Sequence, residues 1–452
     1  MKYQRYAKYK DSSIEWIEEI PEHWDITRAR WLFREINERS TNGDETLLSV
    51  SEYYGVKPRK DVIDPGDFIT NATSLEGYKK CQKNDLVMNI MLAWKGALGI
   101  TDYDGIVSPS YNVYRPLKPK DSKYLHYLFR TKVYADIFRN NSTGIIDSRL
   151  RLYPDSFASV KVIRPPLEDQ ISICKFLDVQ LRRVEGLTIG HEKMIRLLKE
   201  KRQAIITHAV TKGLDPNVPM KDSGIEWIGE IPEDWGLKRL KAVSKIQFSN
   251  VDKHIFDNEI PVLLVNYTDV YKNQFITNEM EFMEATANPN EIKKFQLEVG
   301  DVLVTKDSET PDDIAIPALV KSTFPNLLCG YHLAMLRPNR PSLDSNYLFY
   351  LYSDKKFRGK YESEANGITR FGLSQESFSD TFICLPSISG QKAISLFLEE
   401  QTSKIDYLIS KQQQMIELLQ EHKTSLITQA VTGKIDVRGL IQEVKEPAGQ
   451  TP

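Results

Sequence analysis

The sequence predicts an α+β fold: two mixed blocks of strands and helices alternate with two long antiparallel coiled-coil helices, and an internal pseudo-twofold axis relates the halves. Three observations predict it. IEWIEEIPEHW at residues 14–24 returns as IEWIGEIPEDW at 225–235, a long helical pattern at 170–215 returns at 391–436, and short apolar runs typical of strands lie between. Because the copies are more than 200 residues apart, they indicate a duplicated domain and not a solenoid.

The repeats predict seven segments, of which the two helices and two short motifs agree closely between halves while the blocks barely agree. That contrast indicates a common frame that presents two different surfaces. The predicted segments are an N-terminal joint (1–24), a first α+β domain (25–165), a first long helix (166–211), a linker with the repeated motif (212–235), a second α+β domain (236–386), a second long helix (387–437) and a polar tail (438–452).

The long helices carry a heptad seam, a pattern typical of coiled coils. About forty residues at roughly 1.5 Å each make a rod about 60 Å long. Since each helix leaves its own block, pairing of the rods requires antiparallel packing and places each short motif beside the end of the other half's helix. The seam is predicted through Val184, Leu187, His191, Met194 and Leu198, and through the residues 221 positions later.

Several large apolar side chains recur in the short motifs and along the helices. Tryptophans of the motif are expected to pack against helix ends, and the proline between the two tryptophans of each motif is expected to set the turn into its block. Aromatic and methionine side chains of the helices are expected at interfaces within the chain or with a partner. These structural or interface residues are Trp16, Trp24, Phe176, Met194, Trp227, Trp235, Phe397 and Met415.

The loops of the two blocks are rich in aromatic, amide and basic residues, the side chains that suit base edges and stacking. Any single one of these residues is more typical of a solvated loop, so only the group as a whole indicates DNA binding. The candidate DNA-binding residues are Tyr53, Tyr54, Lys57, Arg59, Lys60, Trp94, Lys95, Arg149, Arg151, Asn266, Tyr267, Tyr271, Lys272, Lys306 and Arg370.

Composition and motifs exclude several classes of function. A net charge of −2 argues against a protein that coats nucleic acid by charge alone. The four cysteines are far apart and form no metal-ligand spacing, so no metal site is predicted. We find no phosphate loop, nucleotide-binding glycine motif or catalytic triad motif. With neither a signal peptide nor a membrane span, a cytoplasmic protein without catalytic residues is predicted.

The duplicated WIGEIPEDW, FLEEQT and LITQAVTGKID-like segments resemble those of the specificity (S) subunits of type I restriction–modification systems, over the whole chain up to about Arg438. The resemblance implies that each block is a target-recognition domain for one half of a bipartite, asymmetric site in double-stranded DNA, and that the helices set the spacing. It implies a non-catalytic subunit that binds no cofactor, in a system for DNA methylation and phage defence.

The same resemblance implies partners. Two methylation (M) subunits would bind around the pseudo-twofold core and carry S-adenosylmethionine, and restriction (R) subunits, with ATP and Mg²⁺ chemistry, would join through them; no membrane is involved. Two alternatives stay open from the residues alone. One is a coiled-coil adaptor whose blocks bind proteins without DNA specificity, and the other is an enzyme whose site has no familiar motif.

Overall fold

The computed structural model describes residues 3–62 and 74–440; most of the predicted polar tail lies outside the described residues. The chain forms two compact units. Unit 1 combines Met1–His191 with Gln414–Pro452, and unit 2 is Glu192–Gln413. Each long helix is therefore shared, because its two halves belong to different units.

The first half of the chain is mostly strands, followed by three short helices and one long one. Its strands are β1 (Tyr9–Asp11), β2 (Glu19–Pro21), β3 (Asp25–Arg28), β4 (Phe33–Ile36), β5 (Leu48–Ser51), β6 (Gly55–Pro58), β7 (Lys79–Cys81), β8 (Leu86–Asn89), β9 (Leu98–Ile100), β10 (Gly105–Val107), β11 (Tyr111–Pro116) and β12 (Lys161–Arg164). Its helices are α1 (Ser122–Phe129), α2 (Lys132–Asn140), α3 (Pro154–Ser159) and α4 (Leu167–Lys212).

The second half repeats this order with additional elements. Its strands are β13 (Met220–Asp222), β14 (Glu230–Pro232), β15 (Gly236–Arg239), β16 (Ser244–Phe248), β17 (Ile260–Val265), β18 (Phe275–Ile276), β19 (Met283–Ala287), β20 (Val302–Thr305), β21 (Asp307–Ser308), β22 (Pro317–Val320), β23 (Leu327–Cys329), β24 (Leu333–Pro338), β25 (Phe371–Gly372) and β26 (Phe382–Leu385). Its helices are α5 (Tyr267–Lys272), α6 (Pro289–Phe295), α7 (Ser345–Ser353), α8 (Lys355–Glu364), α9 (Gln375–Ser379) and α10 (Ile388–Val431).

Both units contain the same frame. The central sheet of unit 1 has the order β4-β11-β8-β9, and unit 2 matches it with β16-β24-β20-β22 and the extra strand β18. Short antiparallel pairs recur as β1-β2 with β13-β14, and as β3-β12 with β15-β26. Helices α1, α2 and α3 correspond in order to α7, α8 and α9. This shared topology confirms the predicted internal pseudo-symmetry.

A buried ion pair locks the frame at the same point in each unit. Arg115 reaches back from β11 to Asp85, with two N–O distances of 3.0 Å, and Arg337 reaches from β24 to Asp301 with two of 2.7 Å. Each carboxylate is nearly fully buried just before the central strand. Burial raises the pKa of Asp301, and the hydrogen bonds from Arg337 act in the opposite direction. Such paired charges tolerate burial because the guanidinium satisfies both carboxylate oxygens.

The units differ in what they insert between matching strands. Insert 1, residues 37–84, lies between β4 and β8 and contains the β5-β6 hairpin and β7. Insert 2, residues 249–300, lies between β16 and β20 and contains β17, β18, β19, α5 and α6. Insert 1 contributes to a small core around Val50 and Val56, whereas insert 2 contributes to a larger one around Leu264 and Phe295. The divergence of the blocks is thus concentrated in the inserts.

The antiparallel arrangement of the long helices is confirmed within each unit. In unit 1, Ile173 and Leu177 near the start of α4 share one core with Leu426 and Ala430 near the end of α10. In unit 2 the reverse holds, since the end of α4 shares a core with the start of α10. Arg202 of α4 also pairs there with Asp406 of α10, with Nε 3.0 Å from Oδ1. The helical tips thus complete the cores of the α+β blocks.

The predicted seam is wrong along the middle of each helix. Leu187 and Met194 are exposed, and their neighbours Thr188 and Ile195 are the partly buried residues. The same displacement by one residue occurs in α10, where Ile409 and Ile416 are partly buried. At positions 194–195, 408–409 and 415–416 both neighbouring residues are apolar, so two heptad registers fit the sequence there and spacing alone does not choose between them. The exposed equivalents in α10 are Leu408 and Met415.

Candidate nucleic-acid interface

Unit 2 gathers charged side chains at the end of its central strand β20. Lys306 Nζ lies 2.7 Å from Asp307 Oδ2, while Arg370 Nη2 and His332 Nδ1 approach Asp307 Oδ1 at 3.0 and 2.6 Å. Burial tends to raise the pKa of Asp307, but the hydrogen bonds from Lys306 and His332 outweigh it and hold the pKa below its usual range. One carboxylate thus orders three nitrogen-bearing side chains, and Arg370 stays exposed.

Aromatic rings surround this charged group. The ammonium of Lys306 lies 5.1 Å from the ring centroid of Tyr331 and 5.7 Å from that of Phe248. His332 has a φ of +55°, a left-handed conformation that a residue other than glycine seldom adopts. Non-glycine residues in that region cluster at functional sites, where the surrounding structure supports the strain.

Helix α5 of insert 2 adds a pair of tyrosines to the cluster. Tyr267 stacks on Tyr271 with centroids 5.6 Å apart and planes 13° apart. The Tyr267 hydroxyl lies 3.2 Å from Ser308 Oγ, beside Asp307, and Tyr271 donates to Asp313 at 3.0 Å. The backbone N–H of Asn266 begins the helix by donating to Asp269 at 2.7 Å, and Lys272 is exposed at its end. The structure therefore brings together five of the six candidates of this half: Tyr267, Tyr271 and Asn266 with Lys306 and Arg370.

In unit 1 the matching position after β8 holds an aromatic platform. Lys95, in the same turn as Trp94, has its cationic group 5.2 Å from the Trp94 ring centroid. Arg139, in α2, lies at the same distance. Trp94 donates from its indole N–H to Met91 O at 3.1 Å, and Arg139 makes two bonds, of 2.7 and 3.0 Å, to Asp147. A tryptophan flanked by cations can stack against a base while the cations contact phosphates.

The hairpin β5-β6 of insert 1 presents the remaining candidates of unit 1. Tyr53 is 84% exposed at the hairpin turn. Tyr54 lies beneath Lys57, whose ammonium is 5.9 Å from the ring centroid. Arg59 is partly buried after β6 and Lys60 is exposed. This group and the Trp94 platform belong to the same unit but to different segments, insert and frame.

Arg130 fastens that hairpin to the frame. Its guanidinium donates to the carbonyls of Ser51, Glu52 and Tyr53 on the turn, and to those of Gly96 and Leu98 beside β9. Burial lowers the pKa of Arg130. Together with Lys57 and Lys423 it lines a polar cleft of about 440 Å³ between the hairpin and α10. The backbone of the turn is thereby held while the Tyr53 ring stays outside.

The loop after α2 contains Arg149 and Arg151. Arg149 is exposed, and Arg151 forms an isolated antiparallel bridge with Thr143 while its guanidinium donates to the carbonyls of Ser148 and Leu150. Of these two candidates, Arg149 therefore has the freer side chain, and Arg151 shapes the loop that carries it.

The short repeated motif contacts the ends of the long helices. Trp24 is fully buried in one core with Val431, the last residue of α10, and Ile435 after it, and its indole N–H donates to Asp169 at 2.8 Å. Trp235 is buried in the core that contains Ala209 and Val210 at the end of α4. Trp227 packs edge-on against Phe357 with centroids 5.6 Å apart.

Trp16, in contrast, is 41% exposed, because Ile14 and Ile17 take the buried positions of its turn. Phe176 is buried, and Tyr3 packs edge-on against it with centroids 5.5 Å apart. The equivalent Phe397 is exposed. The difference between equivalent phenylalanines therefore depends on the N-terminal residues, which cover only one of them.

Within residues 3–62 and 74–440 there is no group of three or more histidine, cysteine or acidic side chains placed to hold a metal ion. The four cysteines are buried, and burial raises the pKa of Cys81, Cys174 and Cys384 to about 12. In the same part of the chain no helix has both the length and the apolarity needed to cross a membrane.

Known proteins match this chain over most of its length. The family described as the type I restriction modification DNA specificity domain matches residues 232–418. The MjaVIII specificity subunit of a type I restriction enzyme from Methanocaldococcus jannaschii is 23% identical over 93% of this chain and 95% of its own length. The EcoKI specificity subunit of Escherichia coli is 19% identical over 92% of this chain and 90% of its own.

The chain is thus similar to specificity subunits of type I restriction enzymes over most of its length, and residues 232–418 match the DNA specificity domain of that family. Solved structures confirm the fold. A chain from a type I R-M system superposes with a TM-score of 0.67 at 15% identity, covering 91% of this chain and 98% of that one. The HsdS subunit from Thermoanaerobacter tengcongensis gives a TM-score of 0.50 at 17% identity, with 92% and 98% covered.

Sequence reasoning missed several residues of the candidate interface. Asp307 and His332 organise the cluster of unit 2, yet neither stands in a motif, and the positive φ of His332 leaves no trace in the sequence. Arg139 lies on a helix and was not associated with Trp94. Arg130 follows directly after α1, where its basic side chain looks like an ordinary solvated residue. A signal was available only for Asp307, which lies beside the candidate Lys306.

Proposed function

We propose that this chain is the specificity subunit of a type I restriction–modification system and recognises a bipartite, asymmetric site in double-stranded DNA, with each unit reading one half. The observation that carries the proposal is a single frame, used twice, that presents unlike polar surfaces. Unit 2 offers the cluster of Lys306, Arg370 and stacked tyrosines, and unit 1 offers the Trp94 platform and the Tyr53 hairpin. Symmetric dimers read palindromes, whereas two unlike surfaces on one chain suit two unlike half-sites.

We further propose that the long helices set the gap between half-sites and bind two methylation subunits. Each helix continues from one unit into the other, so a change in its length changes the register between the two reading surfaces. Identical partners require like surfaces, and both helices expose the same apolar residues 221 positions apart. These exposed residues are Leu187, Met194 and Leu197 of α4, and Leu408, Met415 and Leu418 of α10.

Under this proposal the chain supplies recognition and its partners supply chemistry. S-adenosylmethionine would be bound by the methylation subunits. ATP and Mg²⁺ would be used by restriction subunits that join through them, in the cytoplasm where the DNA is. A soluble docking and recognition subunit needs no cofactor of its own.

The direct test is a competition gel shift with the chain bound to its methylation subunits. The duplex is the one that the complex selects from random sequences, and the competitors carry changes in the first half, the second half, the gap or everywhere. We expect a change in either half to weaken binding by about 10³-fold at moderate salt, and base changes within the gap to have little effect.

Two outcomes would contradict the proposal. Equal affinity for scrambled duplexes would favour the coiled-coil adaptor without DNA specificity. Methyl transfer by the chain alone, measured with radiolabelled S-adenosylmethionine after removal of every methylation subunit, would show an enzyme.

A further inference from the structure

The loop that follows the second frame helix is built in the same way in both units. After α2, Gly144 has a φ of +156°, and Thr143 bridges Arg151; after α8, Gly367 has a φ of +154°, and Asn366 bridges Gly372. A Cβ at either glycine would collide with the carbonyl of the arginine that closes the loop, Arg149 or Arg370. Glycine is therefore required at this turn in each unit.

The same tether attaches both loops to the central sheet. The N–H of Leu152 donates to Ile90 O at 3.0 Å, and the N–H of Leu373 donates to Lys306 O at 2.9 Å. Each acceptor is the residue immediately after the central strand, β8 or β20. The loop is thus held on the frame next to the Trp94 platform in unit 1 and next to the Lys306 cluster in unit 2.

An isoleucine follows the glycine in each loop and is almost completely exposed. Ile145 is 98% exposed and Ile368 is 97% exposed. One exposed aliphatic side chain is ordinary on a protein surface. The same side chain at equivalent tips of two loops of different length, each fixed by a glycine and a sheet tether, indicates a shared function.

We propose that Ile145 and Ile368 are wedges that insert against the base stack of DNA, one in each half-site. Apolar side chains used in this way enter between base steps and unstack them. This inference rests on the proposed function and adds to it a contact that does not depend on base identity. That independence explains why the tip is the same in both units although the inserts beside it differ.

The surroundings favour DNA over a protein partner. Cationic side chains accompany each tip: Arg149 and Arg139 in unit 1, and Arg370 and Lys306 in unit 2. Phosphates on either side of an opened base step would meet these charges. A protein interface needs a contiguous patch of about 800 Å² on each partner, whereas a wedge needs only one projecting side chain.

The test uses Ile145→Ser and Ile368→Ser in the complex of the full chain with its methylation subunits. Duplexes of the selected sequence carry 2-aminopurine at successive positions, since its fluorescence rises when the base is unstacked. We expect each serine variant to abolish the rise in one half only and to weaken binding about tenfold, while Ile→Leu at the same positions preserves both. Leu117→Ser, at an exposed leucine outside both loops, is the matched control and should change neither quantity.

Three results would overturn the wedges. Serine variants that keep the affinity and the fluorescence would show that the tips do not touch the stack. Serine variants that lose their methylation subunits during purification, but bind DNA normally once reassembled at high concentration, would assign the tips to protein docking. An unaltered complex that does not discriminate between duplexes would remove the proposed function itself, and with it the wedges.

Discussion

Hydrogen bonds accommodate ionisable side chains that are buried in this chain. Arg130 satisfies its guanidinium with five backbone carbonyls, and its neighbour on the same face, His126, accepts a hydrogen bond from Ile100 N at 3.2 Å. Burial, with a further contribution from Arg130, lowers the pKa of His126 to about 4. A neutral imidazole is thus part of the packing between α1 and β9, under the hairpin that carries Tyr53.

This imidazole makes the stability of the protein depend on pH. In the unfolded chain a histidine takes up its proton near its ordinary pKa of about 6.5, whereas the folded chain resists protonation down to about pH 4. Full stability is therefore expected above pH 6.5, with a loss of up to about 3 kcal/mol as the pH falls towards 4. Guanidinium denaturation between pH 7 and 4.5 measures it. His126→Asn keeps an acceptor for Ile100 N and should remove this part of the slope; an unchanged slope would show that His126 does not titrate on unfolding.

The sequence identified candidate residues where the type of a single side chain is enough. It did not identify sites where several side chains come together. Tyr53 and Trp94 are aromatic residues in polar loops, and each was a candidate by type alone. The pairing of Arg370 with Asp307 joins residues 63 positions apart through the strand pair β21-β25, which is too short to leave an alternating pattern. The candidate interface was therefore predictable as a set of loops but not as two particular clusters.

Elements of the chain meet most tightly at the ends of the long helices. After α10, Gly433 has a φ of +74°, and a Cβ there would lie 2.5 Å from Pro21 Cδ. After α4, Gly213 has a φ of +77°, and a Cβ there would lie 3.3 Å from Trp235 Cζ2. Both contacts join a helix end to a short repeated motif, but the one in unit 1 is closer.

Alanine at these two glycines is expected to have unequal effects. Gly213→Ala should lower the free energy of unfolding by about 1–2 kcal/mol, the ordinary cost of a Cβ in the left-handed region. Gly433→Ala should cost more, because the proline ring cannot move aside without displacing β2. Denaturation followed by tryptophan fluorescence compares them, with Gly229→Ala as baseline, since its φ is +75° and its surroundings are open. Equal losses in all three variants would mean that the joint around Pro21 yields easily.

The sequence predicted the long helices well, but it predicted poorly which residues in the middle of them are buried. A periodic pattern of about forty residues predicts each long helix. In the structure α4 spans Leu167–Lys212 and α10 spans Ile388–Val431. The predicted heptad register in the middle of these helices was wrong because two neighbouring residues are apolar where the seam needs only one. The frame helices α1–α3 and α7–α9 were harder to match, since loop lengths differ by two residues between STGIIDSR and ANGITR and obscure the alignment.

The two units share a common frame and differ in the inserts that it carries. The frame recurs with the same sheet order and the same buried Asp–Arg lock, while inserts 1 and 2 differ in length, elements and core. Sequence comparison of the two halves located the divergence only to blocks of about 140 residues. The frame can be distinguished from the inserts only with the strand order, because matching strands such as β8 and β20 lie at different distances from the start of their blocks.

We propose that one frame, used twice, carries two independent DNA-reading surfaces. The most direct test is exchange of insert 1, residues 37–84, for the corresponding insert of a related specificity subunit, followed by selection of bound sequences from random duplexes. We expect the half-site read by unit 1 to change, while the other half-site and the gap stay as they were. Simultaneous change of both half-sites, or none, would contradict it.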